Sequence, residues 1–321
     1  MPSWQGLGRL IRSGHARKQL FAGLTRRHFY RVAHLYTPVL LSVTERYRFL
    51  VSTRDPYIGR DTFLFGPWEA QAQRESIAEL RRRFPEEFDL RGTTVVEIGA
   101  NIGTQTIPFA KEFGAARVIA VEADPANALL LRQNAIGNDA AEIVKTLNVA
   151  ASDRNGWITL GLSPTNPGDH RVSTDGDPEA PQRQSVEIQS VRIDTLIDDE
   201  VFAEEDVSLM WVDVQGHEGH VLAGATRLLA RGTPIVCEYW PDGLRSCGGL
   251  DLFHELVAQH YTTVVDLQSP WPDRSSTELP SDRVDELAGK YRGPDDAPTA
   301  ATDLLLLRDP LNQIREAAEA T

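Results

Sequence analysis

Val95-Val96-Glu97-Ile98-Gly99-Ala100-Asn101-Ile102-Gly103-Thr104 is the stretch on which the fold turns. A β-branched apolar run enters a glycine-bearing turn, and a helical stretch opens near Gly103. Glycine there permits backbone angles closed to other residues and lets a ligand approach the main chain. Working outward, further short β-rich runs lie at Arg117–Glu122, Ile143–Val149, Ser208–Val214, Pro234–Tyr239, Tyr261–Leu267 and Asp303–Leu307. The first run itself spans Thr93–Ile98, and helical stretches separate most of the seven. Nearly continuous apolar runs of this length suit strands covered on both faces of a parallel sheet. Alternation of strand and helix predicts a Rossmann-like α/β domain. Ligands of such sheets sit at the carboxyl ends of the strands.

The turn also indicates which ligand. A dinucleotide-binding turn reads Gly-x-Gly-x-x-Gly. Here the spacing is Gly99-x-x-x-Gly103, with Asn101 between them and Glu97 two positions ahead of the first glycine. A carboxylate at Glu97 repels a pyrophosphate and attracts an ammonium or sulfonium. The second run ends Val121-Glu122-Ala123-Asp124-Pro125, which places Glu122 to accept two hydrogen bonds from a ribose diol. The third leads into Ala150-Ala151-Ser152-Asp153, where Asp153 can accept from an adenine amine. A cationic adenosyl compound satisfies all three strand ends, so S-adenosylmethionine is the expected cofactor. Its expected contacts are Glu97, Gly99, Asn101, Gly103, Thr104, Glu122, Ala123, Asp124, Ala151, Ser152, Asp153 and Asp213.

The chain has 321 residues, with 41% hydrophobic and 25% charged, as in ordinary globular proteins. A net charge of -13 argues against nucleic acid as a partner. The charge is uneven: the first 50 residues hold nine Lys/Arg and one acid, Glu45. Residues 5–36 carry an irregular helical apolar pattern with a basic remainder. This is either an amphipathic helix for an anionic membrane or partner enzyme, or a packed helix with a solvated basic face. Residues 46–65 read as a strand pair through the alternation of Tyr47, Phe49 and Val51 and of Phe63 and Phe65, with Asp55-Pro56 and Gly59 as turn signals. Trp68 to Phe84 reads as a helix stopped by Pro85. The expected organisation is a basic helical extension over 1–45, a hairpin and helix over 46–90, the main domain over 91–310 and a tail over 311–321. Residues 163–185 read as a long exposed loop joining two extra strands, Trp157–Leu162 and Ser185–Arg192. Residues 268–302 read as a polar, Pro-rich insertion. Cys237 and Cys247 have neither metal-site nor disulfide-framework spacing, which suits a cytoplasmic protein. No apolar stretch approaches the roughly 20 residues of a membrane span, and the N-terminus lacks a signal-peptide core.

With these residues in view, the sequence resembles the FkbM family of methyltransferases over about 46–308. The resemblance rests on Glu97–Gly103, on Glu122-Ala123-Asp124-Pro125, and on Val191-Arg192-Ile193-Asp194-Thr195-Leu196. It rests most specifically on Trp211-Val212-Asp213-Val214-Gln215-Gly216-His217-Glu218-Gly219-His220-Val221-Leu222-Ala223-Gly224-Ala225. Ile235-Val236-Cys237-Glu238-Tyr239-Trp240 is similar to the family's fifth strand. The resemblance implies a class I methyltransferase fold: a seven-stranded, mostly parallel sheet with a reversed last strand. It also implies methyl transfer from S-adenosylmethionine, usually to a hydroxyl of a sugar, glycan or small natural product. Where family members carry Glu or Gln, this chain has Gln215. An inactive scaffold on the same fold is the competing expectation, and Gln215 is the feature that favours it.

On the acceptor side, Asp213 ends the fourth strand and is the first candidate to orient or deprotonate a hydroxyl. His217 and His170 follow, since imidazole titrates near neutrality. Asn166, Asp169 and Arg171 on the long loop, together with Gln215, Glu218 and Glu238, are candidate acceptor contacts. Alternatively, Asp213 caps the next helix and Glu218 complements that helix's dipole. No metal is expected, although Asp213, Glu238 and nearby histidines are of a type that can ligate a divalent ion. The oligomeric state is not legible in the sequence.

Overall fold

The computed structural model describes residues 25–86, 88–174, 182–267, 276–291 and 300–308. The predicted helix over 5–36 therefore lies largely outside the described residues, as does the tail after 308. The chain divides into two compact units after Trp68.

The first unit opens with a helix over 25–33. Strand β1 (Val39–Val43) then pairs antiparallel with β2 (Arg48–Ser52), so Leu40 faces Val51 and Ser42 faces Phe49. Ile58–Phe65 is a helix, which corrects the strand pair expected over 46–65. Asp55 is the reason. Its two carboxylate oxygens accept the N–H groups of Tyr57 (2.8 Å) and Gly59 (2.7 Å), a capping arrangement that starts a helix. Gly59, Thr62 and Phe63 are buried at helical spacing while Phe65 is 69% exposed, so the Phe63/Phe65 alternation carries no strand.

The second unit begins with the helix Ala70–Arg83 and then builds the main sheet. Its strands are β3 (Thr94–Ile98), β4 (Arg117–Val121), β5 (Val144–Leu147), β10 (Val207–Val212), β11 (Ile235–Tyr239), β12 (Thr263–Asp266), β13 (Thr277–Pro280) and β14 (Thr302–Leu307). A second sheet contains β6 (Ala150–Ala151), β7 (Gly156–Leu162), β8 (Arg171–Val172) and β9 (Gln184–Val191). The main sheet runs β13-β12-β14-β11-β10-β3-β4-β5. Pairing is parallel from β5 to β11, and β14 lies antiparallel between β11 and β12. That is the methyltransferase order with its reversed strand, plus one. The eighth strand corrects the expected seven: β13 lies within the insertion read as merely polar and pairs with β12 at the edge. All five residues of β3 are buried, including Glu97. Ile158, Leu160 and Ile188 form a small core within the second sheet. No helix among the described residues is long and apolar enough to cross a membrane.

Candidate active site

The carboxyl ends of β3, β4 and β10 meet at the glycine turn. Gly99 has φ +86, and a Cβ there would lie 1.8 Å from the Asp213 carbonyl oxygen. The backbones leaving β3 and β10 can therefore approach only because residue 99 lacks a side chain. Asn101 holds a left-handed conformation (φ 49), and its Oδ1 accepts the Ile102 N–H at 2.8 Å. Asn134, on the helix Pro125–Gly137 after β4, donates to the Ile102 carbonyl (2.8 Å) and pins the turn.

Glu122 is buried and its carboxylate is held at both oxygens. Oε2 accepts the Asn101 N–H at 2.7 Å and Oε1 accepts the Asp124 N–H at 2.8 Å. These bonds lock its orientation and leave each oxygen a second lone pair, as a grip on a diol requires. Asp124 accepts the Asn127 N–H (2.9 Å) and caps the helix Pro125–Gly137, so its role is structural. Asn148 donates to the carbonyls of Glu122 and Ala123, fixing the end of β4. Thr104 is buried beside Gln105.

Glu97 is buried under the same turn. Oε2 accepts the Thr106 hydroxyl at 2.6 Å, and Oε1 has no partner. Burial pushes its pKa up to about 8, with Glu122 and Asp213 adding to the rise. Burial likewise raises Glu122 to about 7, against the two N–H bonds that favour its charge. A buried, half-satisfied carboxyl beside two others is costly alone and is relieved by a cation. Two buried acids at this turn, Glu97 and Glu122, are chemically suited to an ammonium- and sulfonium-bearing nucleoside.

Three predictions arise here. Glu122→Gln keeps size but turns an N–H₂ toward a backbone donor. Affinity for S-adenosylhomocysteine should fall roughly 10–100-fold by calorimetry; an unchanged affinity removes the diol role. Affinity for the cationic donor should rise with pH through about 7–8, as Glu122 and Glu97 ionise, and then level off. Binding at pH 7 should release protons, seen as a buffer-dependent heat. The raised folded values mean that the folded chain holds protons the unfolded chain has lost. Stability of the ligand-free protein thus declines as pH rises from the ordinary carboxyl range through about 8. Glu97→Gln should flatten that decline in thermal melts.

Ala151 lies in β6, paired with β9. Ser152 Oγ meets His217 Nε2 (3.0 Å) and Asp153 Oδ1 (3.1 Å), while Asp153 Oδ2 faces His220 Nδ1 (3.2 Å). His217 stacks on His220, with ring centroids 4.5 Å apart. Burial, then His220, pushes its pKa down to about 3, so the ring is neutral near pH 7. The contacts of His217 are thus with Ser152 and His220.

Asp213, just past β10, and Glu238, in the adjacent β11, form an acid pair. Gln215 is left-handed (φ 55), and its Nε2 donates to Asp213 Oδ1 (2.7 Å) and Glu238 Oε2 (3.0 Å). Glu218 stands behind them, fully buried. Its Oε1 accepts the N–H groups of Val214 (3.0 Å) and Gly216 (3.1 Å), and Oε2 is unpartnered. Burial raises the pKa of all three acids, Glu218 to about 7, and mutual repulsion raises Glu218 and Glu238 further. Asp213, Glu218 and Glu238 each offer an oxygen within 4.8 Å of the others, a spacing that can hold a metal ion. The Gln215 amide already supplies positive dipole to two of them.

The long loop reaches both sides. Asn127 donates to the Pro167 carbonyl (3.1 Å) on the donor side, and the Arg171 guanidinium lies 4.7 Å over the Trp240 ring beyond β11. Asp169 accepts Arg171 (2.6 Å) and Arg183 (2.7 Å). Asn166 accepts the Gly168 N–H, and His170 Nδ1 accepts the Ser163 N–H at 2.9 Å, which makes His170 a brace of the loop. Burial lowers the His170 pKa. Arg183 is buried, so this segment is less exposed than expected; residues 175–181 lie outside the described residues.

Sequence reasoning missed Glu69. It adopts φ 56 at the start of Ala70–Arg83, its Oε2 accepts Gln105 Nε2 (3.1 Å), and its charge contributes to raising Glu238. Only the three-dimensional path of the chain joins it to β11. Asp194, in the quoted Val191–Leu196 segment, accepts the Thr226 N–H and hydroxyl and the Arg227 N–H, so that motif caps a helix.

A family model described as the methyltransferase FkbM domain matches residues 97–258. The 2-O-methyltransferase NoeI of Sinorhizobium fredii is 30% identical over 173 residues, covering 51% of this chain and 70% of NoeI. Among solved structures, an O-methyltransferase from Bacillus cereus in complex with SAH is 13% identical with TM-score 0.38, covering 80% of this chain and 99% of that one. The M. jannaschii TYW2 complex with AdoMet is 10% identical with TM-score 0.40, covering 85% and 88%. Both likenesses are too distant to bear on activity. The family match supplies what the crevice of acids and glycines leaves open, so S-adenosylmethionine is its methyl donor. The chain belongs to the FkbM family of methyltransferases.

Proposed function

We propose that this enzyme methylates a hydroxyl oxygen of a sugar, glycan or small hydroxylated natural product. The observation that carries the reading is the Asp213–Gln215–Glu238 bridge at the carboxyl ends of two adjacent strands. A hydroxyl is a poor nucleophile until its proton is accepted, and a carboxylate with a raised pKa is a suitable acceptor. Asp213 and Glu238 repel one another as a pair of anions and so favour holding one proton between them near neutrality. The ionised member takes the hydroxyl's proton. The Gln215 amide commits its two N–H groups to the two carboxyls and so fixes both. Bound S-adenosylmethionine supplies an electrophilic methyl group on a sulfonium. Glu97 and Glu122 hold the charged and ribose ends of that molecule, and Arg171 with Trp240 walls the acceptor side. Most of the gain comes from alignment. The name of NoeI, a 2-O-methyltransferase, supports an oxygen acceptor.

Gln215 gives the inactive-scaffold reading its support, but its amide is built into the acid bridge rather than left idle. The test is transfer of labelled methyl from the donor to a panel of sugars, glycans and hydroxylated metabolites. Product carrying an ether methyl is expected. Donor binding without transfer to any hydroxyl would return the scaffold reading.

A further inference from the structure

The first unit is of opposite charge to the second. Residues 1–68 contain eleven Lys/Arg and three acids, leaving 22 Lys/Arg and 43 acids for the remainder. Four of the seven described arginines of this region line a cleft of about 850 Å³, a volume typical of small-ligand sites. Arg27 and Arg31 reach it from the helix over 25–33, Arg54 from the turn after β2, and Arg60 from the helix Ile58–Phe65. Four guanidinium groups from three segments thus share one concavity. Asp61 is the acid in its wall, and it is engaged by Arg60 at 2.6 Å. Arg31 and Arg54 are exposed, and neither guanidinium group has a hydrogen-bond or ion-pair partner among the described residues. Arg27 lies 5.7 Å over the Phe65 ring.

Clustered like charges repel one another and lower stability unless a counter-charge enters. Planar guanidinium groups match phosphate oxygens two at a time. Phe65 and Pro56 add apolar wall, and the volume exceeds what a lone phosphate fills. We propose that this cleft binds a phosphate ester: a phosphoryl or diphosphoryl group gripped by Arg27, Arg31, Arg54 and Arg60, with its organic part against Phe65. Such a group comes either from a soluble phosphorylated molecule or from an anionic lipid headgroup.

Both sources can be tested on the full chain. Inorganic pyrophosphate binding is measured by calorimetry. Co-sedimentation is measured with phosphatidylcholine vesicles with and without phosphatidylglycerol. The double variant Arg31→Ala/Arg54→Ala should lose at least tenfold in affinity for whichever probe binds. Binding of the native chain should weaken as salt is raised. The control Arg46→Ala/Arg48→Ala removes the same charge from the hairpin, outside the cleft, and should lose less than threefold. Arg31→Lys/Arg54→Lys keeps charge without the fork and should fall between, which also guards against misfolding. Pyrophosphate binding alone assigns a soluble ester, vesicle binding alone a headgroup, and both a site open to either. Absence of binding to either probe overturns the proposal, as does equal loss in the control or no loss in the cleft variant.

Discussion

Asp213→Asn is expected to lower kcat by about 10²–10⁴-fold while changing donor affinity little. Asparagine preserves the shape of the bridge. Its Oδ1 still accepts from Gln215 Nε2, and its amide can donate to Glu238, so the carboxyls of the site stay in place. What disappears is a basic oxygen whose pKa burial has raised toward the working range. The loss should therefore fall on kcat with KM nearly constant, as for a group acting in the transition state. Glu238→Gln should cost less if Asp213 is the ionised member and more if the roles are exchanged. The ratio of the two variants assigns the base. A kcat for Asp213→Asn within threefold of the native enzyme would remove the carboxylate from the chemistry.

Among the described glycines, Gly99→Ala should be the most damaging substitution by alanine. Its Cβ would stand 1.8 Å from the Asp213 carbonyl oxygen, a backbone atom that cannot swing aside, at φ +86. Strain and overpacking together amount to roughly 2–6 kcal/mol, a large part of a typical total of about 5–15 kcal/mol. The melting temperature should drop by roughly 5–20 °C, and surviving protein should bind donor poorly because β3 and β10 have moved apart. Gly92→Ala is the control. It shares a positive φ, +80, but its Cβ would meet nothing within 4 Å. If both variants melt alike, the close approach of the two strand ends is not what residue 99 secures.

The donor half of the site was legible because each part is local: a strand, its end, and the acid or glycine that follows. Glu97, Gly99 and Glu122 need only that pattern to be placed, and the alternating runs located every strand of the main sheet except β13, though not their order. The acceptor half depends on contacts distant in sequence. Gln215 read as a departure from an acid and proved to be the clasp between Asp213 and Glu238, 23 residues beyond it. Glu69 had no local signal at all. The Phe63/Phe65 alternation misled because two residues cannot establish a period, and the carboxylate of Asp55 outweighed it. β13 escaped notice because a four-residue edge strand, Thr277-Glu278-Leu279-Pro280, pairs through its backbone and is too short to show an apolar period.

The antiparallel strand Thr302–Leu307 has a consequence for biosynthesis. It is the last described strand to leave the ribosome, yet it occupies the slot between β11 and β12, which do not touch each other. Until it arrives, the nascent chain exposes two apolar strand rims facing an empty channel, the kind of surface that recruits foreign strands. Translation that stalls before codon 302 should therefore yield an insoluble fragment even though every donor-binding residue has already been made.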